Sequence, residues 1–194
     1  MEERVLDENK ICFIVYTDVF DKYSDSRQYI SDLNTYGMQV EYYTVENAKN
    51  KYIDFNQILQ ISDAKYKVYM SSDCYIINKN FIGDIIALAE SNPFIGAVGI
   101  VGTVLKTFEH EEMVYGECLV NNLSDGMKKE KYREIEDIYG EVDWLDEKFI
   151  ITVQDIFWNE EKDHADIIHA MDMREAGYKN IVVRQEKQWV MMEK

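Results

Sequence analysis

The sequence has one proline and nine glycines in 194 residues, which excludes collagen-like, linker-rich and low-complexity architectures. Its three cysteines, Cys12, Cys74 and Cys118, are odd in number and far apart. They form no CxxC pair and no zinc spacing, so a reduced, cytoplasmic chain is expected. Long hydrophobic runs are missing too. The longest nearly apolar stretch, Phe94 to Leu105, has 12 residues and three glycines, too short for a bilayer-spanning helix. The opening MEERVLDENK is charged and lacks an apolar segment, so no secretory signal is expected. Basic residues are scarce: 21 Lys and Arg stand against 37 Asp and Glu, a formal net charge of −16. Nucleic acid and anionic lipid both need a basic surface, and are excluded as partners.

What is present is a foldable, soluble chain. Hydrophobic residues make up 46% and aromatics 13%, with 14 tyrosines, so disorder is excluded for the whole. A chain of this length buries roughly 70% of its unfolded surface. Ile11 to Thr17 (ICFIVYT) reads as a buried strand. A helix is expected from about Asp21 to Tyr36, stopped by Gly37. Met38 to Val45 is a second strand, Tyr66 to Met70 a third and Ile95 to Val101 a fourth, with helical spacing around Ile58 and from Phe81 to Ala89. Strands alternating with helices imply parallel βαβ units in a sheet covered on both faces. Residues 104–160 are less regular, with 6 basic against 15 acidic side chains; strand-like pieces there are Tyr115 to Val120 and Phe149 to Val153. A helix from Asp166 to Ala176, a stop at Gly177 and a strand from Asn180 to Arg184 follow.

Open α/β sheets bind ligands at the carboxyl ends of their strands. The residues there are Thr17 and Asp18 after the first strand, Thr44 at the second, and Ser71, Ser72 and Asp73 after the third. They indicate a site for a polar ligand. No GxGxxG follows the first strand and no Walker A occurs, so dinucleotide and P-loop readings lose their support. HExxH and GxSxG are absent as well.

The segment YKVYMSSDCYIINKNFI (66–82) resembles the nucleotide-sugar glycosyltransferases of GT-A fold. The nearest group is a small bacterial family-2-like one, related to a streptomycin-biosynthesis glycosyltransferase, in which a strand enters an acidic DxD-type turn. DIIHAMDMREAGYKNIVV (166–183) is similar to the family pattern in which an acidic residue opens a helix ending in R-x-A-G-Y. ICFIVYT, SDAKYKVYM and QEKQWV fit the same group in the same order. The resemblance implies a single α/β domain over 1–194, with a mostly parallel, Rossmann-related central sheet flanked by helices. Residues 1–103 would be its nucleotide-binding half and 104–194 its acceptor-side half.

The implied activity is transfer of a sugar from a nucleoside-diphosphate sugar, a UDP-sugar by expectation, to a hydroxyl of a glycan, peptide or small-molecule acceptor. The leaving diphosphate needs its charge stabilised, here by Mn or Mg on Asp73, which matches the second acid of the DxD turn while Ser71 stands at the first. The attacking hydroxyl needs a base, for which Asp166 is the candidate, with Asp163 or His164 one turn away as substitutes. Asp166 is equally suited to capping its helix. Thr17, Asp18, Thr44, Asn56, Ser71 and Ser72 are the remaining nucleotide-binding candidates. Relatives carry a histidine after the C-terminal tryptophan; here Glu193 stands in that region, and Arg184 or Lys187 offers alternative positive charge. The second reading is a non-catalytic sugar-nucleotide binder or scaffold subunit of the same fold, and a homo-oligomer is compatible with either.

Overall fold

The computed structural model describes residues 5–106, 111–122, 124–161 and 163–194. In chain order the elements are β1 (Asp7–Thr17), α1 (Phe20–Ser31), β2 (Gln39–Glu46), α2 (Lys51–Ile61), β3 (Ala64–Ser71), β4 (Cys74–Ile76) and α3 (Phe81–Ser91). Next come β5 (Ile95–Gly99), β6 (Val101–Lys106), β7 (Glu111–Asn122), β8 (Gly126–Lys131), β9 (Tyr139–Val142), β10 (Trp144–Leu145) and β11 (Phe149–Thr152). The chain closes with α4 (Ala165–Glu175), β12 (Lys179–Val183) and β13 (Val190–Glu193).

Seven strands form the main sheet in the order β2-β1-β3-β11-β5-β12-β9. β2, β1, β3, β5 and β12 share one direction, while β11 and β9 run against it. The sheet is therefore mixed, with a parallel majority. β1 shows why it sits at the centre of the parallel set: Ile11 to Val15 are all buried. Alternate residues feed opposite faces, Ile11, Phe13 and Val15 into one core and Cys12 and Ile14 into the other. A second sheet, β10-β6-β7-β13-β4 with β8 on β7, is built largely from the stretch that reads as irregular in sequence. Its Val101, Cys118, Val120, Val190 and Met192 join the same core as β1.

Two boundaries differ from expectation. The first helix ends at Ser31, not Tyr36. Asn34 donates its backbone N–H to Lys79 O (2.9 Å) and its side chain to Asn80 Oδ1 (2.8 Å), bonds a continuing helix would forbid. The expected strand 95–101 breaks at Ile100 into β5 and β6, where Glu117 N donates to Ile100 O. Gly116 sits there with φ 100°, and any Cβ would overlap that carbonyl. The stop at Gly177 is realised: with φ 90° it donates to Arg174 O, and Tyr178 N donates to Met173 O, closing the last turn of α4.

Candidate functional site

β1 and β3 run side by side in the same direction, with Tyr16 opposite Ser71, so their carboxyl ends deliver two polar turns to one edge. Ser72 Oγ donates to Thr17 Oγ1 (2.8 Å), and Ser72 N donates to Tyr16 O (3.0 Å). Both side chains are buried. Thr17 Oγ1 also donates to Val19 O (2.7 Å), so its hydroxyl builds the turn and presents Asp18, which is exposed.

Asp73 follows, and its partner is a residue the sequence does not suggest. Lys148 Nζ donates to Asp73 Oδ2 (2.7 Å), and Lys148 O accepts from Ser71 N (2.9 Å). Burial works against the charge on Asp73, but the bonds from Lys148 and Ser71 outweigh it and hold the carboxyl below its usual range. The reason Lys148 arrives here is strand direction. β11 is antiparallel to β3, so its amino-terminal flank, Asp146-Glu147-Lys148, lands at the carboxyl edge of the parallel strands. Three charged residues before an apolar run were the only signal, and sequence alone does not give the orientation of that run.

Two cavities open at this edge. The first, about 330 Å³, is lined by Thr17, Asp18, Val45, Lys49, Lys51 and Glu147, with Tyr16 and Tyr52. The second, about 510 Å³, is lined by Tyr132, Trp144, Asp146, Asp163, His164 and Asp166. Tyr52 and Glu147 belong to both walls. Lys51 Nζ donates to Glu147 Oε2 (2.8 Å) and lies 4.2 Å from the Tyr16 ring centroid, and Tyr52 Oη donates to Glu147 Oε2 (3.2 Å). Burial raises the Glu147 carboxyl, but Lys51 and Tyr52 together hold it below its usual range. Burial and the charges of Glu147 and Asp166 push the Tyr52 phenol up, so it stays a hydrogen-bond donor at neutral pH.

Asp166 occupies the first turn of α4. The cap position is His164, in the left-handed region (φ 60°) and without a side-chain cap bond, so the capping role weighed for Asp166 is not taken up. Asp146 keeps solvent contact, yet the protein around it still raises its carboxyl, by burial first and by Glu147 and Asp166 thereafter. Asp163, His164 and Asp166 thus converge on the second cavity, while Thr17 and Asp18 line the first.

Other candidates lie elsewhere. Thr44 is exposed inside β2, which continues to Glu46; its neighbour Val45, on the opposite face, lines the first cavity. Asn56 is buried in α2 and fully engaged. Its Oδ1 accepts from Trp158 N (2.8 Å) and its Nδ2 donates to Trp158 O (2.9 Å), pinning the segment before α4. Arg184 and Lys187 line a separate cavity of about 640 Å³ beside α3. Of the tryptophans, Trp144 reaches the second cavity, whereas Trp158 and Trp189 are buried in the two cores.

Among the described residues no group of three His, Cys, Asp or Glu is placed to hold a metal ion. Glu193 N donates to Asp73 O (2.8 Å), but its carboxylate turns to Lys22 (3.1 Å) and to the Tyr75 hydroxyl (3.3 Å). The donor set does not fit a metal held by protein carboxylates: Asp73 offers one, and its cation is an ammonium.

A family described as "Glycosyltransferase like family" matches residues 12–194. No curated protein matches the chain in sequence. Among solved structures, a mannosyltransferase from Pyrobaculum calidifontis in complex with GDP-Man and Mn2+ superposes with TM-score 0.60 at 11% identity, over 98% of this chain and 59% of that one. S. aureus TarS 1-349 in complex with UDP gives TM-score 0.59 at 14% identity, over 95% of this chain and 60% of that one. A197 from STIV gives 0.50 at 13%, over 93% and 83%. The chain therefore spans less than two thirds of the first two proteins, and the likeness establishes the GT-A fold.

Proposed function

The chain belongs to the glycosyltransferase-like family matched over residues 12–194, and from that premise we propose that it transfers a sugar from a nucleoside-diphosphate sugar to an acceptor hydroxyl by single displacement. The observation that carries this reading is the pair of cavities at the carboxyl edge of the parallel strands that share Tyr52 and Glu147 in their walls. One is walled by Thr17, Asp18 and Lys51, the other by the carboxylates of Asp163 and Asp166. In a single displacement, base and leaving group stand on opposite sides of the sugar, and two neighbouring cavities with a shared wall are consistent with that separation.

In this reading the first cavity takes the nucleoside, with Asp18 accepting from a ribose hydroxyl or uracil N–H. The turn Ser71-Ser72-Asp73 abuts the diphosphate. The acceptor hydroxyl enters the second cavity and gives its proton to Asp166, a positioned base of the kind that contributes two to four orders of magnitude. Residues 1–103 then supply most of the donor side and 104–194 most of the acceptor side, although Glu147, on the flank of β11, brings the later half to the donor cavity. A UDP-sugar is the donor we favour, and residues 66–82 and 166–183 support membership of the small bacterial group whose antibiotic-biosynthesis member they resemble.

Donor binding is tested by thermal unfolding with UDP, GDP and dTDP. A ligand present at 100 times its Kd stabilises the native state by about 2.7 kcal/mol, so at least one of the three should raise Tm, and Asp18→Ala should reduce that rise. Unchanged melting with all three at millimolar concentration contradicts the reading. A non-catalytic binder is the second reading, favoured by Ser71 at the first acidic position and by the engagement of Asp73 with Lys148. It predicts the same rise in Tm with no turnover.

A further inference from the structure

Ser71 and Ser72 precede Asp73, so the turn carries one carboxylate. That carboxylate is bonded by Lys148 Nζ at 2.7 Å; of the other carboxylates brought near the turn, Glu193 is paired with Lys22 at 3.1 Å and Asp146 accepts from Lys148 N at 3.0 Å. Lys148 is not an incidental surface contact, because its backbone is fixed on both sides. Its carbonyl accepts from Ser71 N at 2.9 Å, and its N–H donates to Asp146 Oδ1 at 3.0 Å. The side chain keeps 41% of its surface exposed. An ammonium has three donor hydrogens, so the bond to Asp73 leaves two for a ligand.

We infer that Lys148 supplies the positive charge at the diphosphate that a divalent cation would otherwise supply, so that this site binds a nucleoside diphosphate without metal. A lysine ammonium is a common point-charge ligand for phosphate. Because Asp73 cancels one unit of charge, the neighbouring lysines matter as well: Lys49 and Lys51 line the adjoining cavity, where they offset the carboxylates of Asp18 and Glu147 within a protein of net charge −16. Asp73 is then a positioning residue that holds Lys148 over the turn, not a metal ligand.

This inference rests on the donor-binding reading, and one calorimetric experiment separates the two. UDP and GDP are titrated into the wild-type protein in EDTA and, separately, in Mn2+, and then into Lys148→Met and Lys148→Arg in EDTA. For the nucleotide that binds, wild-type affinity in EDTA should lie within about threefold of that in Mn2+, well under the tenfold that 1.4 kcal/mol represents. Lys148→Met should weaken binding by about ten- to a hundredfold, the range for losing a hydrogen bond to a charged group, and Lys148→Arg should retain most of it. Circular dichroism of Lys148→Met should match the wild type, since the side chain is half-exposed. Binding in Mn2+ that is lost in EDTA overturns the inference and leaves the donor reading standing. Unchanged affinity in a folded Lys148→Met overturns it too. Absence of binding by either nucleotide under both conditions overturns the donor reading and this inference with it.

Discussion

Asp166 lies in the first turn of α4, where the helix dipole favours a carboxylate by about 0.3–1 kcal/mol. Asp166→Asn should therefore cost less than about 1 kcal/mol in denaturant unfolding, because no cap is lost, and any large fall in turnover belongs to the chemistry. His169 carries a different kind of prediction. It is buried and stacks on Trp158 at 3.8 Å, and its Nε2 donates to Ile156 O (3.2 Å). Burial holds its pKa down to about 4, against an ordinary 6.5. As pH falls below about 6.5 the unfolded chain takes up a proton that the folded chain refuses, so stability is lost between about 6.5 and 4 and levels off below. The full difference corresponds to about 3 kcal/mol. Urea unfolding at pH 7 and pH 5 should show wild type losing stability and His169→Gln losing measurably less; equal losses in both contradict it. Thr17, Asp18, Ser71, Ser72 and Asp73 were legible as candidates because polar residues end apolar strands there. Lys148 and Glu147 were not, because their place depends on contacts 75 and 96 residues away in sequence.

Among the elements, α2 links stability to the site most directly. Asn50 Oδ1 accepts from Tyr52 N (3.1 Å) and caps the helix whose first two residues, Lys51 and Tyr52, line the first cavity. Asn50→Ala should cost about 1 kcal/mol, the usual loss of a cap, and should also weaken nucleotide binding; a stability loss with intact affinity contradicts the link. The βαβ half of the fold was readable because buried parallel strands are short apolar runs separated by amphipathic helices. The later half was not. β8 reads GMKKEK and lies exposed on β7, so it has no apolar face to announce it. β9 and β10 are four and two residues long, too short for any periodicity. The direction of β11 is set by pairing between β3 and β5, which no local signal encodes.

At the scale of the molecule, 37 acidic against 21 basic side chains make self-repulsion the dominant long-range term. Most of the ion pairs are partly exposed and contribute little each. Screening should relieve more repulsion than it costs in attraction, so Tm should rise when NaCl is increased from low to physiological ionic strength; a fall would mean that the pairs outweigh the net charge.

In the proposed function the two neighbouring cavities bind and turn over a nucleoside-diphosphate sugar. Water can replace the acceptor in slow donor hydrolysis, so nucleoside diphosphate release from a panel of UDP- and GDP-sugars needs no knowledge of the acceptor. Wild type should release nucleotide from at least one donor, and Asp166→Asn should be slower by about two to four orders of magnitude while still binding the nucleotide. Release that is absent with every donor, or equal in the two proteins, would contradict the claim.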